Sequence, residues 1–114
     1  MQIGELSKIT GVAASRIRYY ERHAVLPKPG RGENGYREYP QTAIKMLGLI
    51  DSAQHLGFSL GEIRDGLTRA APDFPSHATM ARALRVKLET IDEHVREVRA
   101  RRRQIVKLLE ELKG

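Results

Sequence analysis

The chain has 114 residues, a formal net charge of +6 and no cysteine. This length allows one small domain, alone or with an extension, and the missing thiols exclude disulfides, thiolate metal sites and thiol redox switches. The positive charge favours a polyanionic partner, with a merely soluble basic surface as the alternative. No apolar run approaches about 18 residues, and the start lacks the charged and apolar regions of a signal peptide. We therefore expect a cytoplasmic protein with no membrane partner.

Two short helices are predicted near the start of the chain. Residues 3–10 place apolar side chains on one helical face, formed by Ile3, Leu6 and Ile9. Gly11 is typical of the position just past a helix end. A second helix is predicted from about Ala14 to His23, although its start lacks a preferred capping residue. Two short helices joined by a Gly-containing turn indicate a helix-turn-helix.

The stretch from Arg16 to Tyr39 contains five arginines and all four tyrosines of the chain. Arginine offers a planar set of donors for phosphates and guanine edges, and tyrosine offers a ring with a hydroxyl that can reach a phosphate. This composition predicts a surface that binds duplex DNA. The candidate DNA-binding residues are Ser15, Arg16, Arg18, Tyr19, Tyr20, Arg31, Asn34, Tyr36 and Arg37.

A small two-stranded wing is predicted after the second helix. Pro27 and Pro29 end the helical run, and Asn34-Gly35 is a strong hairpin signal. The alternating residues 36–39 suit the returning strand. A phosphate-binding nucleotide loop is the alternative reading of these glycines, but the chain has no Walker pattern here.

Two further helices are predicted between the wing and a break near residues 70–76. Pro40 suits the first turn of a third helix, whose apolar stripe continues to Leu56. Ser59 and Glu62 have the spacing of a capping box and predict the start of a fourth helix. Pro72 and Pro75 then interrupt the chain, which indicates a boundary.

The last helix is predicted to begin near Thr79 and carries a heptad seam. Its apolar residues recur in alternating steps of four and three, which is the 3.5-residue period of a coiled coil. A helix of about 34 residues would be roughly 50 Å long, too long for this chain to cover, so we expect a homodimer. A core stripe packed within one chain is the alternative. The predicted dimerisation residues are Leu84, Leu88, Ile91, Val95, Val98, Arg102, Ile105, Leu109 and Leu112.

Arg102 is the charged member of this otherwise apolar seam. A charge at such a position weakens the core but can fix register or orientation, and we hypothesise that Arg102 meets an acidic residue of the partner chain. Arg102 also belongs to a basic cluster with Arg99, Arg101 and Arg103. For that cluster a solvated face, with intrahelical partners such as Glu97, is favoured over a second DNA contact.

The sequence shows no constellation for catalysis or metal binding. Its four histidines are widely spaced, no Gly-x-Ser-x-Gly elbow surrounds a serine, and the carboxylates are scattered. We therefore predict that the chain is not an enzyme and has no metal site and no cofactor.

Four sequence runs and the helix that follows them have a recognisable order. The runs are I-G-E-L-S-K-I-T-G-V, R-I-R-Y-Y-E, R-G-E-N-G-Y-R-E-Y and L-G-F-S-L-G-E-I, and a long heptad helix comes last. This combination resembles the MerR family of bacterial transcriptional regulators. The resemblance covers essentially the whole chain, is clearest from Ile3 to Leu67, and is looser in the coiled coil.

The resemblance implies a homodimer, formed through an antiparallel coiled coil, that binds a pseudo-palindromic promoter site in double-stranded DNA. It implies that activation kinks and undertwists the DNA, so that RNA polymerase is affected indirectly, through the DNA. Carried over, Arg16 and Arg18 would enter the major groove with Tyr19 and Tyr20 near it. The flanking backbone would be held by the wing residues Arg31, Asn34, Tyr36 and Arg37.

Four departures from the family pattern concern the wing and the signal. Ala24 stands where the family customarily has Gly, which is expected to shift the turn into the wing. The cysteines of the metal-sensing, iron–sulfur and aldehyde-sensing branches are missing, as is the ligand-binding domain of the drug-sensing branch. His77 lies near the position of a Ser or Cys in the copper and mercury branches, and a lone ligand is a weak metal site. The effector is therefore unknown.

We predict a mostly α fold in which residues 1–70 form a winged helix-turn-helix DNA-binding domain. Residues 71–78 are a connector, and residues 79–114 form a long dimerisation helix in an antiparallel coiled coil. The predicted function is a sequence-specific, dimeric transcriptional regulator that distorts promoter DNA between the polymerase recognition elements. The alternatives are an effector-independent architectural protein that bends DNA and a coiled-coil adaptor that binds protein.

Overall fold

The computed structural model describes residues 1–71 and 73–113, in two compact units, Met1–Phe74 and Pro75–Gly114. Pro72 of the predicted connector and Gly114 of the predicted dimerisation helix lie outside the described residues. The first unit contains α1 Ile3–Thr10, α2 Ala14–Arg22, β1 Gly30–Arg31, β2 Arg37–Glu38, α3 Thr42–His55 and α4 Leu60–Ala70, and the second contains α5 His77–Lys113. The predicted mostly helical fold with a long last helix is confirmed.

The core of the first unit draws side chains from all four of its helices. The fully buried residues with the largest side chains are Tyr20, Leu6, Ile17, Leu26, Leu47 and Ile50. The predicted apolar face of α1 is only partly correct. Leu6 is buried and Ile3 packs against the core, whereas Ile9 remains 53% exposed. Ile9 is the last apolar residue of a short helix, and it lies at the edge of the apolar face, whose centre is Leu6.

Two predicted helix boundaries are confirmed by their caps. Gly11 ends α1 with a left-handed φ of 75°, and its N–H donates to the Ser7 carbonyl. The capping box at α4 is complete, because Glu62 N–H donates to Ser59 Oγ at 3.1 Å and Ser59 N–H donates to Glu62 Oε1 at 3.0 Å. Both caps satisfy backbone groups that a helix end leaves without a partner.

Two other helices begin at residues that differ from the prediction. α3 begins at Thr42, since Pro40 starts a turn in which the Ala43 N–H donates to the Pro40 carbonyl. α5 begins at His77, before the predicted Thr79, because Ser76 caps it. The Thr79 N–H donates to Ser76 Oγ at 3.1 Å.

The turn from α2 into the wing is built on Ala24 in a left-handed conformation. Its φ is 57°, and it follows the helix cap residue His23. The Ala24 N–H donates to the Glu21 carbonyl and the Val25 N–H donates to the Tyr20 carbonyl, each at 3.0 Å. This pair of bonds is a Schellman motif, in which Gly is the preferred left-handed residue. Ala24 therefore keeps the turn but carries backbone strain that Gly would avoid.

The second unit is the single helix α5 of 37 residues. None of its described side chains is buried, although the helix contains the whole heptad seam. Within residues 1–71 and 73–113, no helix combines the length and the apolar content needed to cross a bilayer.

Substituting Ala24→Gly should raise the free energy of unfolding by roughly 1 kcal/mol. A left-handed L-residue costs about 1–2 kcal/mol, and the extra freedom of Gly in the unfolded chain returns part of that, about 0.4–1 kcal/mol. Urea unfolding followed by circular dichroism measures the change. The reverse substitution at the other left-handed cap, Gly11→Ala, should destabilise the chain, and a loss of stability in Ala24→Gly would contradict the strain.

Candidate nucleic-acid interface

The outer face of α2 carries four of the predicted DNA-binding residues. All four are exposed, because the helix turns Ile17 and Tyr20 into the core instead. The exposed residues are Ser15, Arg16, Arg18 and Tyr19. The Arg16 Nη1 lies 3.6 Å from Asp51 Oδ1 on α3. This ion pair orients one arginine while Arg18 stays open to solvent. α2 therefore presents two cations and a tyrosine on one accessible surface.

Tyr20 does not lie on this surface, which corrects its predicted role as a DNA contact. Its relative exposure is 0%, and its hydroxyl donates to Asp51 Oδ1 at 3.2 Å and lies 3.3 Å from Gln54 Oε1. Burial raises the pKa of Tyr20; the Asp51 carboxylate adds to the rise and the Arg16 charge opposes it. A phenol held in the core cannot reach a phosphate, so Tyr20 positions α2 on α3 instead.

Asp51 contacts the candidate site in a way that the sequence pattern did not reveal. Its carboxylate interacts with Arg16, Tyr20 and His55. The His55 Nδ1 lies 3.9 Å from Asp51 Oδ2. It lies on α3, far from α2 along the chain, so no spacing rule links them. Asp51 ties the exposed face of α2 to the rigid helix behind it.

The wing brings two arginines face to face. The antiparallel ladder pairs Gly30 with Glu38 and Arg31 with Arg37. Directly opposed residues of an antiparallel pair project on the same side of the sheet, and like charges there are destabilising. Both side chains are exposed, and Arg31 Nη1 also donates to the Gly35 carbonyl at 2.9 Å. The register therefore places two exposed cations on the same side of the wing.

The tip of the wing uses the predicted Asn-Gly pair. Gly35 has a φ of 78°, and the Asn34 Oδ1 accepts a hydrogen bond from the Tyr36 N–H at 3.1 Å. The oxygen of Asn34 is thus engaged in the turn, and its amide group remains as the donor that could meet a phosphate. Tyr36 is 65% exposed at the same tip.

Glu21 fixes the wing to α2, a role that no local sequence pattern indicates. Its carboxylate is 8% exposed; it accepts a hydrogen bond from the Tyr39 hydroxyl and lies 4.0 Å from Arg37 Nε. Burial raises the pKa of Tyr39, and the hydrogen bond to Glu21 raises it further. The two elements with DNA-binding candidates are therefore joined through one buried acid.

Four cations line a hollow of about 630 Å³ between α2 and the wing. Its walls are formed by Glu21, Arg22, Lys28, Pro29, Arg31 and Arg37. Arg22 and Lys28 were not among the predicted contacts, because the helix and hairpin patterns do not show which flanking residues converge. The hollow extends the basic surface from the helix to the wing.

The predicted dimerisation residues all lie exposed along α5. The apolar members range from 38% exposed at Val95 to 83% at Leu112, and Arg102 is exposed as well. Val86, Val106 and Leu108 are exposed apolar residues outside the predicted seam. His77, the candidate lone ligand, is the exposed first residue of the helix.

Substituting Tyr39→Phe should lower the free energy of unfolding at neutral pH by about 1.5–3 kcal/mol, the contribution of a hydrogen bond to a charged acceptor. Because the folded pKa of Tyr39 is raised above the ordinary 10.0, the stability from its neutral hydroxyl is present below pH 10 and is lost as the pH rises through the folded pKa. The wild type and the variant should therefore converge in alkali.

Urea unfolding across the pH range measures both effects, and Tyr36→Phe at the exposed wing tip is the matched control. A constant difference between wild type and Tyr39→Phe from neutral to alkaline pH would contradict the coupling.

The chain matches the family described as MerR HTH family regulatory protein over residues 1–69 and the family described as MerR, DNA binding over residues 44–114. It is 35% identical over 109 residues to the HTH-type transcriptional regulator CueR of Escherichia coli O6:H1, covering 95% of this chain and 80% of that protein. It is 36% identical over 109 residues to the mercuric resistance operon regulatory protein of Bacillus cereus, covering 96% and 83% of the two chains.

A solved structure shows the same fold at similar identity. The dual function transcriptional regulator MerR from Bacillus megaterium MB1, in complex with mercury(II), superposes with a TM-score of 0.72 at 33% identity, over 96% of this chain and 85% of that one. These relatives are transcriptional regulators. The chain therefore belongs to the MerR family of helix-turn-helix regulatory proteins.

Proposed function

We propose that this transcriptional regulator holds promoter DNA with α2 in the major groove and the wing on the flanking phosphates. The paired arginines Arg31 and Arg37 carry this proposal, since the ladder holds two exposed cations on the same side of the wing, where a phosphate would interact with both. The hollow beside them, lined also by Arg22 and Lys28, extends the same contact. Arg16 and Arg18 then supply contacts to base edges from the exposed face of α2.

The rigid link between α2 and the wing supports a distorting grip on DNA. Glu21 and Asp51 hold both contact surfaces to the core. Two such heads in a homodimer, at a fixed separation, can offset the deformation energy of the DNA between them with added phosphate contacts. We propose that this distortion realigns the promoter elements for RNA polymerase, which the regulator affects through the DNA.

The basic surface of the first unit and the apolar seam of α5 are proposed to have different roles. Residues 1–70 act as the DNA-binding domain, residues 71–78 connect, and residues 79–114 form the dimerisation helix, antiparallel to its partner. We propose that the chain acts in the cytoplasm, where promoter DNA is found, and that it acts by binding DNA and not by catalysis. Transcription in vitro from its own promoter, with and without metals and small molecules, distinguishes an effector-controlled regulator from a constitutive DNA-bending protein.

Substituting Arg18→Ala should weaken binding to the specific site by roughly 1–3 kcal/mol and leave binding to random DNA nearly unchanged. Substituting Lys28→Ala should instead weaken both and reduce the slope of log affinity against log salt by about 1. Fluorescence anisotropy titrations at several salt concentrations separate the two patterns. Equal losses on both DNAs for Arg18→Ala would reduce it to a phosphate contact.

The double variant Leu88→Lys, Ile91→Lys should be monomeric and bind the operator on the order of a hundredfold more weakly, because two linked heads gain about 10²–10⁴ in avidity. Sedimentation and footprinting measure the two effects. Thr90→Lys with Gln104→Lys adds the same charge off the seam and should leave the dimer intact. Tight operator binding by a monomeric variant would overturn the dimer requirement.

A further inference from the structure

The two edges of the exposed seam of α5 carry an uneven set of charges. The edge next to Leu88 and Val95 is formed by Arg85, Asp92, Arg99 and Val106, and the edge next to Ile91 and Val98 by Lys87, His94, Arg101 and Leu108. In a coiled coil these flanking positions set orientation and partner choice. Among these eight residues only Asp92 is acidic. The position of Asp92 relative to the cations of a second copy therefore discriminates between the ways two helices can pair.

A parallel pairing is disfavoured by Arg102. In a parallel, in-register pair each seam residue faces its own copy, so two Arg102 guanidinium groups would meet inside the apolar seam. Taking like charges out of water beside each other costs desolvation with no compensating attraction. An antiparallel pairing separates them and places an apolar side chain opposite each.

We propose one antiparallel register, which rests on the homodimer of the proposed function and specifies its interface. In it Val95 faces Val98 of the partner subunit, and Ile91 faces Arg102 of the partner subunit. The same alignment sets Leu88 opposite Ile105 of the partner subunit and Leu84 opposite Leu109 of the partner subunit. The two-fold axis then crosses the helices between Arg96 and Glu97.

This register gives Asp92 two cationic neighbours. In antiparallel pairs each edge faces the same edge of the other helix. Asp92 then lies beside Arg99 of the partner subunit and, at nearly the same height, beside Arg102 of the partner subunit. Within the described chain neither Asp92 nor Arg99 forms a salt bridge with its own helix. The two-fold axis generates this cluster of three charges twice.

The apolar residues outside the seam also find partners in this register. Val106 meets the aliphatic stem of Arg85 of the partner subunit, and Leu108 meets the stem of Lys87 of the partner subunit. Long basic side chains cover apolar surface with their methylene groups while the charged end stays in water. Val106 and Leu108, 39% and 57% exposed in the single chain, thereby gain cover.

Sliding one helix by a heptad in either direction sets like charges against each other. In one direction Arg99 and Arg101 each face their own copies across the axis. In the other, Asp92 and His94 face their own copies and Arg85 meets Arg99 of the partner subunit. All three registers bury apolar seam layers, so the flanking charges select among them.

Paired cysteines test the register directly, because the natural chain has none. The full chain carrying Leu88→Cys and Ile105→Cys should form a covalent dimer under mild oxidation, since a disulfide needs Cα atoms within about 7 Å. The pair Leu88→Cys and Leu112→Cys would crosslink only if one helix were shifted by a heptad in one direction. The pair Ala81→Cys and Ile105→Cys would crosslink only after a shift in the other direction. Each slide displaces these pairs by roughly 10 Å, so both controls should give at most a trace.

Leu88→Cys alone should not crosslink, because this residue faces its own copy only in a parallel pair. A covalent dimer in any control at the level of the test pair overturns the register while keeping the homodimer. A monomer in sedimentation of the wild type would overturn both this inference and the dimeric function.

Charge exchange tests the role of Asp92 without relying on cysteines. The Asp92→Arg chain and the Arg99→Asp chain each place like charges at this edge as homodimers, but opposite charges when mixed. Native mass spectrometry of the mixture should show heterodimers well above the statistical half. Glu93→Arg mixed with Arg103→Asp, on the outer face of the helix, should remain statistical. Statistical mixing of the first pair would overturn the assignment of Asp92.

Discussion

The candidate DNA-binding surface depends on the contacts of the buried Glu21 carboxylate. This carboxylate accepts the Tyr39 hydroxyl and lies near Arg37, so it holds the returning strand of the wing against α2. A hairpin with two residues in each strand is marginal by itself, and its position therefore comes from this anchor. Burying a carboxylate costs free energy unless the group is hydrogen-bonded. The Tyr39 hydroxyl therefore stabilises the buried Glu21, and Glu21 in turn fixes the position of the wing.

A second carboxylate links α2 to α3. Asp51 receives the Tyr20 hydroxyl from inside and the Arg16 guanidinium from outside. The helix that presents Arg16 and Arg18 is thus linked to α3 through Asp51 and to the wing through its own Glu21. In the proposed function this link matters, because a rigid surface loses little freedom on binding and more of its contact energy can then offset the deformation of DNA.

The elements and two of their caps could be predicted from the sequence, whereas the contacts that orient them could not. The glycine after α1, the capping box of α4 and the seam of α5 are local patterns, and the structure contains each. Tyr20 could have been placed in the core, because it follows Ile17 by three residues on the same helical face. The pairings of Glu21 with Tyr39 and of Tyr20 with Asp51 join residues far apart in the chain, so no local period reveals them.

The paired arginines of the wing, Arg31 and Arg37, bear on how the regulator finds its operator in a cell. In the proposed function, any run of phosphates attracts two cations that the ladder holds as partners, irrespective of base sequence. The chromosome offers such runs everywhere, so the wing would contact unrelated DNA as well as the operator. The regulator would then reach its operator by moving along and between stretches of unrelated DNA, and the rest of the genome would compete with the operator for it.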